Sequence, residues 1–178
     1  IEGVTKALEA LGHKDLVAAH NGTVVVNSYE GELKNKHKAA QLKVGLSDIH
    51  LDSEPKGWID YKPKAEMLVL EDIFPEGIQI PESFPGTNIV HLPTMKTHVF
   101  TTMTGAMKNA FGGLLHRKRH WTHSVIHETL TDLLAIQQEI HPGLFAVMDG
   151  TFAGDGPGPR AMRWHIKDRI LALFLIHS

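Results

Sequence analysis

Cysteine is absent from the 178 residues. Its absence excludes disulfides, thiolate zinc sites, a cysteine nucleophile and any iron–sulfur cluster ligated within this chain. Long apolar runs are missing too. No window reaches the length of a transmembrane helix and no signal peptide is visible, so no membrane is expected as a partner and the cytoplasm is the expected location. Charge of one sign is also lacking: 18 Lys and Arg against 20 Asp and Glu leave a net charge of −2. That balance gives no reason to propose nucleic acid. The basic run from His116 to His120 is short and reads as a solvated loop. Three site signatures are missing as well. No Gly-x-Gly-x-x-Gly follows the first strand, no Gly-x-x-x-x-Gly-Lys-Ser/Thr occurs, and there is no Gly-x-Ser-x-Gly. A standard dinucleotide site, a P-loop and an α/β-hydrolase elbow are therefore disfavoured.

What is present suits one α/β domain over residues 1–178. The stripe Val4, Ala7, Leu8, Leu11 predicts a helix closed by Gly12. Thr23–Val26 reads as a buried strand, and Asn27–Gly31 as polar residues past its end or as the cap of the next helix. That helix is expected over 32–44, with a short strand over 47–51 and another over 67–70. Ile78 and Ile80 alternate around Gln79 in a proline-rich loop, which predicts a brief antiparallel edge strand. A long helix is expected from Thr122 to Ile140, with Thr122 as its N-cap, and then a strand over 144–148 that delivers Asp149. The fold expected from this order is a mostly parallel sheet flanked by helices.

The rest of the chain is organised around residues 88–113. Ile89–Leu92 predicts a strand that Pro93 ends. Lys96-Thr97-His98 then falls on a loop at the edge of the sheet. A helix is expected over 101–111, with Gly112-Gly113 as its stop. Strand, loop and helix in that order would aim two lysines, a histidine and free helix N–H groups at one place, an arrangement suited to an anion.

Pro93-x-Met-Lys-Thr-His98, followed by Met103-Thr-Gly-Ala-Met-Lys-Asn-Ala-Phe-Gly112, resembles the core signature of domain-of-unknown-function family 362. Phe145-Ala-Val-Met-Asp149-Gly150 and Gly154-Asp-Gly-Pro-Gly-Pro159 are similar to two later segments of that signature. The resemblance covers residues 88–159. It implies that Lys96, Thr97, His98, Thr104, Lys108, Asn109, Asp149, Gly150, Gly156 and Pro157 are the matching positions. Some members carry ferredoxin-like cysteine motifs, and this chain does not. The family pattern would continue past residue 166 with a strand and a helical segment. Here the sequence instead turns apolar from Ile166 and stops, which suggests an altered C-terminus and a fragment of the family domain. Such an end predicts cover by a second copy of the chain. The chain starts at Ile1, which suggests that an upstream segment has been removed.

These readings give a set of candidate residues. Lys96, His98 and Asp149 are the expected catalytic groups: His98 as base or metal ligand, Asp149 to orient it or hold a cation. Thr97, Thr104, Lys108, Asn109 and Gly156 are the expected substrate-binding positions. Asp155, with His123 and His127 at i, i+4 on one helix face, is the expected metal set for a divalent ion. The function these imply is an enzyme for a small anionic metabolite, best a metal-assisted hydrolase of an ester, lactone or phosphoester. The alternatives are an electron-transfer protein working beside an iron–sulfur partner, which rests on the family resemblance alone, and a non-catalytic anion-binding module.

Overall fold

The computed structural model describes residues 1–23, 26–52, 57–115, 117–158, 163–166 and 174–175. The chain divides into two compact units, Ile1–Gly57 and Trp58–Ser178. Helices and strands alternate in both, which makes the class α/β.

In the first unit α1 spans Glu2–Ala10, and β1 (Val17–His20) pairs in parallel with β2 (Ser47–His50). The strand expected over 23–26 is not found at its two ends, and Val24 and Val25 lie outside the described residues. Thr23 N–H donates to Val26 O at 2.7 Å. Asn27 is the cap: its side chain accepts from Glu30 N–H at 2.8 Å and starts α2 (Ser28–Lys34). The single helix expected over 32–44 is two helices. Lys36 adopts φ 59°, which breaks the run before α3 (His37–Lys43).

In the second unit β3 (Trp58–Tyr61) and β4 (Ile78–Pro81) form an antiparallel pair. Residues 67–70 are not a strand. The short helix α4 (Leu70–Ile73) begins there, because the Asp132 carboxylate accepts from the N–H groups of Leu68, Val69 and Leu70 at 2.7, 3.0 and 3.0 Å. β5 (Ile89–His91) leads through Pro93 into β6 (Thr94–His98), which turns back as β7 (Thr102–Thr104). α5 spans Ala106–Leu114, a 3-10 segment spans Arg117–Val125, and α6 spans Ile126–Ile140. Beyond α6 come β8 (Leu144–Ala146), β9 (Asp149–Asp155), β10 (Arg163–Ile166) and β11 (Phe174–Leu175).

The sheets are small and mixed, which corrects the single, mostly parallel sheet. Among the described residues, β1–β2, β5–β8 and β6–β9 are parallel, whereas β3–β4, β6–β7, β8–β11 and β9–β10 are antiparallel. The hairpin return at β7 and the strand at β9 account for the difference. Both were expected to be helix or loop.

The core of the second unit lies between α5, α6 and β4. Ile126, Leu130, Leu133, Ile136 and Ile140 are buried on α6, which packs on α5 with its buried Phe111 and Leu114, and α5 packs in turn on β4 with its buried Ile80. Burial of each such aliphatic chain contributes on the order of 2 kcal/mol. Gly112 and Gly113 do not stop α5, because the helix continues to bury Leu114 at 1% exposure. Among the described residues no helix is long and apolar enough to cross a membrane. The apolar C-terminal run lies outside the described residues except for Phe174 and Leu175, whose backbone pairs with β8.

Candidate functional site

Each unit holds a group of polar side chains with chemistry in it. In the second unit β6 and β9 run in parallel, with Thr94 opposite Asp149 and Lys96 opposite Gly154. The glycine-rich segment after β9 comes back against β6. Thr97 Oγ1 donates to Gly156 O at 2.5 Å, and a Cβ on Gly158 would lie 2.0 Å from Thr97 O. Gly158 also has φ +56°, so this close approach needs a glycine. Pro159 lies outside the described residues.

His98, at the end of β6, is buried at 5% exposure. Phe100 N–H donates to its Nδ1 at 3.1 Å, so the neutral ring carries its hydrogen on Nε2. Its ring stacks on His123 at 6.2 Å, and His123 stacks on His120 at 5.7 Å. The Lys108 ammonium lies 3.5 Å from His123 Nε2 and 3.6 Å from the centroid of Phe111. His123 Nδ1 donates to His120 O at 3.0 Å, which leaves Nε2 to accept from Lys108.

The electrostatics are one-sided. Burial, and then the charges of Lys108, His123 and Lys96, hold His98 down at about 4. Burial and the Arg119 guanidinium lower Lys108 to about 8. Burial lowers Lys96, and among the described residues no ion pair joins Lys96 or Lys108 to a carboxylate. A half-buried cationic pair of this kind stabilises an incoming anion.

The remaining expected positions have other surroundings. Thr104 Oγ1 donates to Lys96 O at 3.0 Å and braces the hairpin. Asn109 donates to His91 Nδ1 at 3.2 Å, and His91 Nε2 donates to Gln137 Oε1 at 2.6 Å. Asn109 thus ties α5 to β5 and α6. Asp149 is exposed and accepts from Thr151 N–H at 2.9 Å; no hydrogen bond or ion pair joins it to His98 among the described residues. Asp155 accepts from Gly156 N–H at 2.7 Å. His123 and His127 do not share an α-helical face, because Val125 (φ −129°, ψ 42°) separates the 3-10 segment from α6, and His127 is exposed. His123, His127 and Asp155 are not gathered as one ligand set among the described residues.

The group in the first unit was not foreseen. Glu32 of α2 with Asp48 and His50 of β2 place ligand atoms within 4.8 Å of one another. His50 Nε2 lies 2.9 Å from Asp48 Oδ2 and 3.2 Å from Glu32 Oε2, and His50 Nδ1 is 2.7 Å from Ser28 Oγ. Lys38 Nζ is 2.7 Å from Asp48 Oδ1 and 3.8 Å from Glu32 Oε1. The hydrogen bond from Lys38 is the main reason the Asp48 carboxyl falls to about 2. His20 stacks on His50 at 5.7 Å and on His37 at 5.9 Å, and burial lowers both His20 and His37. Alternation in β2 puts Asp48 and His50 on one face, and this i, i+2 spacing was the available signal. Glu32, on a separate helix, gave none.

The family model described as a domain of unknown function (DUF362) matches residues 3–172. The match therefore covers both units, well beyond the signature segment. No curated protein and no solved structure matches the chain.

Proposed function

Because the chain belongs to the DUF362 family, whose description names no activity, we propose from the site alone that it is an enzyme for a small anionic metabolite. The observation that carries this is the cluster of Lys96, Lys108 and His98: two lowered lysines with no carboxylate partner among the described residues, beside a histidine buried at 5% exposure. The reaction class best suited to these groups is hydrolysis of an ester, lactone or phosphoester. Lys96 and Lys108 hold the anionic group. His98 presents Nε2–H to the oxygen on which negative charge develops, since its Nδ1 is taken by Phe100 N–H. Lys108, lowered to about 8, is suited to exchange a proton with water. In the metal-assisted form of this reading, a divalent ion would supply a Lewis acid or a bound hydroxide. Among the described residues the group able to hold one is Glu32, Asp48 and His50, which belongs to the first unit, and no step of this reaction is assigned to it.

The test is a panel of anionic esters, lactones and phosphomonoesters, run with and without a chelator on the parent, Lys96→Ala and His98→Ala. Loss of the anion contact should raise KM by roughly tenfold or more in Lys96→Ala, and loss of the donor should lower kcat by roughly a hundredfold in His98→Ala. Anion binding without turnover in the parent would leave a non-catalytic binding module. Variants that match the parent on every substrate would remove the cluster from the reaction.

A further inference from the structure

The buried positions of the first unit are mostly polar. Among its described residues Thr5, Ser28, Glu32 and Gln41 are buried, with Leu51 as the buried large apolar side chain. Glu32 is the extreme case: it is 1% exposed, and neither carboxylate oxygen receives a hydrogen bond among the described residues. An ionised carboxylate removed from water without such bonds is costly and calls for a cation. Its Oε2 lies 3.2 Å from His50 Nε2, and its Oε1 lies 3.8 Å from Lys38 Nζ and 3.9 Å from His20 Nε2.

We propose that Glu32, Asp48 and His50 bind one divalent transition-metal ion. Two carboxylates and one imidazole make a mixed oxygen–nitrogen set, which favours an ion such as Zn²⁺ or Mn²⁺ over Mg²⁺. The separations from His50 Nε2, 2.9 Å to Asp48 Oδ2 and 3.2 Å to Glu32 Oε2, match neighbouring ligands around an ion held at about 2.1 Å from each. Ser28 Oγ, 2.7 Å from Nδ1, holds the ring with Nε2 toward the carboxylates and can accept the Nδ1 hydrogen that a ligating histidine carries on its other nitrogen. Ser28 is itself held, its N–H donating to Asp52 Oδ2 at 2.8 Å.

Lys38 is the competing cation. Its ammonium reaches both carboxylates, yet its side chain is 29% exposed, whereas that of Glu32 is 0% exposed. One lysine leaves two carboxylates under-compensated, and Lys38 has a path to water when an ion arrives. The site is argued from the first unit alone and holds whether or not the anion cluster is catalytic.

The test is direct binding, independent of any activity. Metal-stripped full-length chain is titrated calorimetrically with Zn²⁺, Mn²⁺ and Mg²⁺, and Mn²⁺ uptake is read in parallel by its paramagnetic resonance. The parent should take up one tight ion per chain, with Mg²⁺ much weaker. Glu32→Gln and His50→Ala should each weaken it by roughly a hundredfold or more, and Lys38→Met should bind as tightly as the parent or tighter. The chain has 13 histidines that could take Zn²⁺ adventitiously, so the variants decide. Unchanged affinity in His50→Ala overturns the site, as does weaker binding in Lys38→Met. Should Glu32→Gln fail to fold, His50→Ala and Lys38→Met still separate a bound ion at this site from none.

Discussion

Lys108 has the least ordinary surroundings of any lysine among the described residues. Its ammonium lies over the Phe111 ring and faces His123 Nε2, yet burial, and then the Arg119 guanidinium, lower it, so its proton leaves at about 8 rather than near 10.5. If the anion is held by this charge, affinity must fall as pH rises through that value. Sulfate is a suitable probe, because its own charge does not change across the range. Its affinity for the parent should drop roughly tenfold between pH 7 and pH 9, while Lys108→Arg, which stays charged, should show a nearly flat profile. A parent profile as flat as that of the arginine variant would take Lys108 out of the anion site. His98 is instructive at the same scale. The sequence pattern placed it beside two lysines, and the geometry agrees, since His98 feels both charges. What the pattern had no means of giving is the Phe100 N–H at Nδ1, a contact made by a turn two residues on, which changes the ring from acceptor to donor.

Elements were legible where one local signal acted alone. α1, β2, β4 and the body of α6 follow from signals in their own residues, but α6 begins at Ile126 and Thr122 is not its N-cap: Thr122 lies in the preceding 3-10 segment and its Oγ1 donates to Arg119 O at 2.8 Å. The hairpin of β6 and β7 was not legible, because Thr102 takes φ 59° at the start of β7 where no glycine or asparagine advertises it. The glycines of β9 read as a loop, yet Gly150 and Gly154 lie in a strand because β6 and β10 pair on either side of it. The start of α4 depends on a residue more than sixty positions away. Asp132 is 2% exposed and its two oxygens accept all three N–H groups from Leu68 to Leu70. Asp132→Ala strands those donors and should cost about 3 kcal/mol, whereas Asp132→Asn keeps one accepting oxygen and should cost less. Urea unfolding of the two variants checks the order; an alanine variant as stable as the parent would mean that the segment finds other acceptors.

Across the whole chain the proton balance is set by histidine. Four rings of the second unit, His91, His98, His120 and His141, are lowered from their ordinary value, with burial the first cause in each. The neutral rings have partners: His91 between Asn109 and Gln137, His141 Nδ1 on Thr87 O at 2.8 Å. A ring that titrates lower when folded binds fewer protons than its unfolded counterpart between the folded value and about 6.5. Stability therefore rises with pH across that window and is lost as pH falls toward about 4, the value for His98. With solvent screening, His98 alone should contribute about 2 kcal/mol to this slope, and the other three act in the same direction. Urea midpoints measured from pH 7 down to pH 4 should fall steadily, and His98→Asn, which removes one titrating ring, should fall less steeply than the parent. The opposite trend, with midpoints holding or rising in acid, would mean that these rings keep their protons inside the fold and that the donor role of His98 rests on an imidazolium instead.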